Sequence, residues 1–136
     1  MEDFSKTLRI SAAGMRAQSV RMRVVAENLA NADSLPLSPG EDPYRRKLVG
    51  FRNVLDHQLG VETVQISRFD VDRTPFTKRF DPGHPGADAD GYVKVPNVNS
   101  VIEMMDLREA QRSYAANINV IEAAKRMLMR TVDMLK

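Results

Sequence analysis

Along the last third of the chain Leu107, Tyr114, Ile121, Leu128 and Leu135 recur at every seventh residue, and the positions between them, Ala110, Asn117, Ala124 and Thr131, are small or polar. That is the period of a coiled coil whose seam lets a partner approach closely, and it predicts one long helix from Ser100 to the end of the chain. About 35 residues at ~1.5 Å each make a rod of roughly 50 Å, too long for a chain of this size to cover by itself. Ser100-Val-Ile-Glu103 has the form of a capping box, and Pro96 just upstream fits a helix boundary. A second apolar line, Ile102, Met105, Ala116, Val120, Ala123, Met127 and Met134, lies roughly opposite the first. Two apolar faces predict two neighbours; a helix buried in the middle of an ordinary globular core is the competing reading.

The amino-terminal end repeats the pattern. Leu8, Met15, Met22 and Leu29 are seven apart, with Phe4, Val25 and Ala32 between them, so a second long helix is expected from Phe4 to about Ala32. Arg9, Arg16 and Arg23 form a narrow basic line between that seam and a further apolar line of Ile10, Ala13, Ala17, Val20 and Val24. The arginines read either as a solvated edge or as contacts for a neighbour's carboxylates. Gly14 in mid-helix costs ~1 kcal/mol against Ala, which points to close approach of a partner or to a soft point.

Between the helices Pro36, Pro39, Gly40 and Pro43 mark a loop, Tyr44 to Asp56 suits an extended segment, and Val61 to Val71 alternates as a strand does. Lys78-Arg-Phe80 is expected as the returning strand of a hairpin, and Gly91 to Val95 as another short extended piece. The fold class expected is therefore mainly α: two long terminal helices forming a coiled-coil-like pair, with a small irregular β-hairpin insert between them. Residues 1–32 and 97–136 supply the helices of one assembly domain, and 33–96 the loop and β insert.

Composition adds exclusions. With 28% charged and 43% hydrophobic residues and a net charge of +2, the chain has ordinary soluble composition, and its scattered basic residues argue against nucleic acid as the main partner. The amino terminus lacks a basic stretch followed by an apolar block, so no cleavable signal is expected. There is no cysteine, only His57 and His84 as histidines, and neither a Gly-rich phosphate loop nor a Gly-x-Ser-x-Gly, which leaves no catalytic constellation, cofactor site or small-molecule substrate site to assemble. Asp88-x-Asp90-Gly91 imitates part of a calcium loop, but Gly86 and Asn97 stand where its first and last ligands belong. Asp81 to Gly91 is better read as turn chemistry than as a metal site.

Leu8-Arg-Ile-Ser-Ala-Ala-Gly-Met-Arg-Ala-Gln18, with Ala26-Glu-Asn-Leu-Ala-Asn-Ala-Asp33 after it, resembles the amino-terminal signature of flagellar rod, hook and hook-associated proteins. Asp81-Pro-Gly-His-Pro-Gly-Ala-Asp-Ala-Asp-Gly-Tyr-Val93 and Pro96-Asn-Val-Asn99 resemble the segment that sets one proximal rod protein apart from its relatives, and Arg112-Ser-Tyr-Ala-Ala-Asn117 is similar to the carboxyl-terminal helix motif. Ser34 follows Asp33 where the family commonly has Thr. The resemblance, to the flagellar basal-body rod proteins, implies a non-enzymatic subunit exported by the type III apparatus without cleavage. It further implies helical assembly in the periplasm with copies of itself and other rod proteins, with the export apparatus and the surrounding rings as further neighbours, in a drive shaft that carries torque. On that reading the seams, Leu8, Met15, Met22, Val25 and Leu29 with Leu107, Tyr114, Asn117, Ile121, Leu128 and Leu135, form the assembly interface. A soluble coiled-coil adaptor binding one partner helix, and more weakly a nucleic-acid binder using Arg9, Arg16 and Arg23, are the alternatives.

Overall fold

The computed structural model describes residues 2–135. In chain order it consists of α1 (Glu2–Ala30), β1 (Lys47–Asp56), β2 (Val61–Val71), β3 (Thr77–Phe80), β4 (Tyr92–Val95) and α2 (Ser100–Met134). The fold is mainly α, with both terminal helices where the seven-residue repeats put them and a small β insert between. The insert is two hairpins, β1 with β2 and β3 with β4. Lys78-Arg-Phe80 therefore does not return along the strand before it, as the sequence suggested. Four residues join β1 to β2, which allows only an antiparallel hairpin, so β1 already occupies the neighbouring position.

The described residues pack as two compact units, each drawing on both helices and the insert: 2–22, 50–68 and 108–135 in one, 23–49 and 69–107 in the other. In the first, Ser11, Ala17, Ala110 and Ala124 are buried. A Cβ on Gly14 would come within 2.9 Å of the Asn117 amide, so the mid-helix glycine marks the close approach of α2 to α1. Asn117 stays in place by donating back to the Ser113 carbonyl at 3.0 Å. The tip of the β1–β2 hairpin closes with the Gly60 amide donating to the Asp56 carbonyl at 2.8 Å, and the Thr63 hydroxyl donates to the Val54 carbonyl across the pair.

In the second unit β3 and β4 run antiparallel, Thr77 opposite Val95 and Phe80 opposite Tyr92, and the Phe80 and Tyr92 rings meet edge-on at 5.3 Å. The turn between them is built as its sequence suggests. The Asp88 carboxylate accepts from the amides of Asp90 and Tyr92, the Asp81 amide donates to the Gly91 carbonyl, and Gly91 takes the positive φ of 83°. Gly86 lies buried against the Pro36 backbone, where a Cβ would overlap the Pro36 carbonyl oxygen. Gly86→Ala is therefore expected to release the 33–43 loop. Faster amide exchange and proteolysis of that loop, with α1 protection retained, is the measurable result.

The capping box is corrected by the structure. Asn99 caps α2: its side-chain oxygen accepts from the amides of Val101 and Ile102, and its carbonyl accepts from the Glu103 amide. Glu103 cannot reach back to the helix start, because its carboxylate is fully buried and engaged by Arg46 and Asn28.

Candidate assembly surfaces

Glu103 belongs to a polar clasp that sets the carboxyl-terminal part of α1, the strand ends and the first turn of α2 in place within the second unit. Asn28, 1% exposed, uses its whole amide. It donates to the Lys47 carbonyl at 3.0 Å and to Glu103 Oε2 at 3.1 Å, and its oxygen accepts from the Lys47 amide at 2.9 Å and the Tyr44 hydroxyl at 2.8 Å. Two donors and two lone pairs are thus all matched, and the bidentate grip on Lys47 mimics a strand partner at the start of β1. Asn97 works alike. Its oxygen accepts from the Arg46 amide at 2.8 Å and its nitrogen donates to the carbonyls of Asp72 and Thr74.

Arg46 joins the two halves, donating to Glu103 and lying 3.6 Å from Asp72 and 3.7 Å from Asp106. Burial alone would lower its pKa. The hydrogen bond to Glu103 and the carboxylates of Glu103, Asp72 and Asp106 offset that and raise it. Asp72 is held below the usual carboxylate range, first by the Thr74 hydroxyl and amide and then by Arg46. Asp88 is lowered chiefly by the Tyr92 amide. A depressed carboxyl contributes stability that is present above its unfolded pKa and lost as pH falls through the folded one. Unfolding free energy should therefore drop as the pH goes below about 4, and Asp72→Asn should make that fall shallower in urea titrations at stepped pH.

Of the seam residues, Leu8, Met15, Met22, Tyr114, Asn117, Ile121 and Leu128 in the first unit, and Leu29 and Leu107 in the second, are half-buried within this one chain. Val25 is buried and Leu135 exposed. The second lines behave differently on the two helices. On α1 Ala17 and Val24 are buried and Ala13 and Val20 half-buried; Ala13 and Ala17 face Thr63, Val64 and Ile66 of β2 across a cleft of about 410 Å³. In the second unit Val24 shares a cleft of about 600 Å³ with Phe69 and Val71. The chain's own hairpin thus flanks this face of α1 without closing the cleft over it, and Ile10, at the amino-terminal end of the line, is exposed.

On α2 nothing comparable covers the second line. Ile102 and Met105 in the second unit, and Ala116, Val120, Met127 and Met134 in the first, are exposed, with Met105 at 66%, Met127 at 62% and Met134 at 79%, and Ala123 alone of the line is half-buried. One solvent-facing Met is unremarkable, but a line of apolar side chains along a whole helix is the signature of an interaction surface. Among the described residues no cluster of His, Cys, Asp or Glu is arranged to hold a metal, and no helix is long and apolar enough to cross a membrane. Sequence reasoning found the apolar line, though not that it stays uncovered, and missed Tyr44, Arg46, Asp72 and Asn97. The one signal for them was the Pro96-Asn-Val-Asn99 motif, since the stretch around Tyr44 and Arg46 carries no periodicity to mark it.

The chain is similar to known proteins over most of its length. The family described as flagellar basal body rod FlgEFG protein C-terminal matches residues 89–134. The flagellar basal-body rod protein FlgC of Agrobacterium fabrum is 49% identical over 136 residues, covering 100% of this chain and 98% of that protein. Those of Salmonella typhimurium and Bacillus subtilis are 42% and 39% identical, covering 92% and 96% of this chain and 92% and 97% of their own lengths.

Proposed function

The chain belongs to the flagellar basal-body rod protein family, and from that premise we propose that it is a structural subunit of the proximal rod. Copies of it pack helically with one another and with other rod proteins in a shaft that carries torque from the motor to the hook and filament. The observation that carries this reading is the uncovered apolar line of α2, which a single chain leaves in water and a neighbour's surface would remove from it. The half-buried seams hold the helix pair of the protomer together, and the second line with Leu135 meets the neighbours. The rod lies in the periplasm, reached through the flagellar export apparatus, and the subunit's work is mechanical rather than catalytic.

Deleting the coding sequence should leave cells non-motile with basal bodies that lack a rod, and returning the wild-type chain should restore both. Swimming cells with complete rods after deletion would overturn the reading. Recovery of the chain only in the cytoplasm, bound to one helical partner, would favour the adaptor instead.

A further inference from the structure

At about 100° per residue, Glu109 falls in the centre of the exposed α2 line, on the same face as Ala116 and Val120. It is exposed and makes no ion pair among the described residues. A carboxylate in the middle of an apolar contact surface is costly to cover unless the covering surface brings a cation to it. The first unit contains such a surface: the cleft between α1 and the β2 strand is lined by Ala12, Ala13 and Ala17 together with Arg9 and Arg16, two cations against the single carboxylate of Asp56. Seven residues separate the two arginines, roughly 10 Å along the helix, leaving room for one carboxylate between them. Arg16 is exposed and unpaired among the described residues, while Arg9, 59% exposed, only approaches Asp56 at 3.8 Å. The alanine lining lets a ridge of small side chains come close.

We propose that Glu109 on the α2 line of one copy docks between Arg9 and Arg16 in the alanine-lined cleft of a second copy. This rests on the rod reading and makes it specific. Donor line and acceptor cleft are different surfaces of the same chain, so the contact is head-to-tail, and such contacts propagate into rings or helical arrays rather than closing as a two-fold dimer.

Arg16→Glu and Glu109→Arg should each cut the yield of assembled rods roughly tenfold through like-charge contact, and the double variant should recover most of it. The chain has no cysteine, so cross-linking can be clean. Ser5→Cys, one turn from Arg9 and outside the cleft lining, and Arg112→Cys, both exposed, should be joined by a short bismaleimide in basal bodies. Mixed singly substituted copies should give dimers only, and copies carrying both cysteines should give a ladder. A double charge variant no better than either single one, intact basal bodies with no dimer, or a cross-link to a different rod protein would each overturn the pairing while leaving the rod reading in place. Absence of the wild-type chain from purified basal bodies would sink the rod reading itself.

Discussion

Asn28→Asp, which exchanges one NH2 for one oxygen, is expected to destabilise the purified chain by roughly 3–5 kcal/mol, the scale of an uncompensated buried charge. The new carboxylate would face the Lys47 carbonyl and the Glu103 carboxylate, both of which accept from the amide now. It keeps only the contacts from the Lys47 amide and the Tyr44 hydroxyl. Against a total stability of about 5–15 kcal/mol, that removes from about a fifth to all of the margin. Asn31→Ala, three residues on in the same motif, is the matched control. Asn31 is half-buried, donating to the Glu27 carbonyl and accepting from the Ser34 hydroxyl just past the helix end, so its loss should cost about 1 kcal/mol or less. Urea unfolding followed by helix circular dichroism separates the two, and equal midpoints would mean the clasp does not hold the strand ends and helix start together.

Val120→Asp and Ile121→Asp, adjacent on α2, are expected to stop motility by different routes. Val120 is 43% exposed, so its replacement should change subunit stability by only about 0.5 kcal/mol while placing a charge on the surface that neighbours cover. Ile121 is half-buried on the seam, and a carboxylate there should weaken the protomer by about 1–3 kcal/mol before assembly is tested at all. Glu122→Ala, exposed and off both lines, should be nearly silent in both respects. Swimming Val120→Asp cells with complete basal bodies would remove the second line from the interface.

The parts of the fold legible in sequence are those whose physics is local. A seven-residue stripe, a strand that alternates from Val61 to Val71 and an Asp-Gly turn each announce themselves within a dozen residues, and each is in place. Gly14 could be read as a close approach before its neighbour was known, because only its missing side chain matters. The clasp could not be read this way. Asn28 and Glu103 meet across 75 positions and Arg46 and Asn97 across 51, and no period links residues so far apart. The same distance explains the capping box. Ser100 and Glu103 satisfy the local rule, but a half-buried guanidinium and a buried amide recruit Glu103 from elsewhere in the chain, and Asn99 takes over the cap. For the apolar faces, sequence gave two on each helix. It could not say that β2 lies against one of the four and that another remains open, since covering is a property of what packs there.

The most direct test of the central claim, that the second line of α2 is open in the subunit and covered in the rod, is maleimide labelling of Met127→Cys in an otherwise cysteine-free chain. The free subunit should label fully at that position, and the same residue in purified basal bodies should be protected. Equal labelling of free and assembled chain would contradict the account.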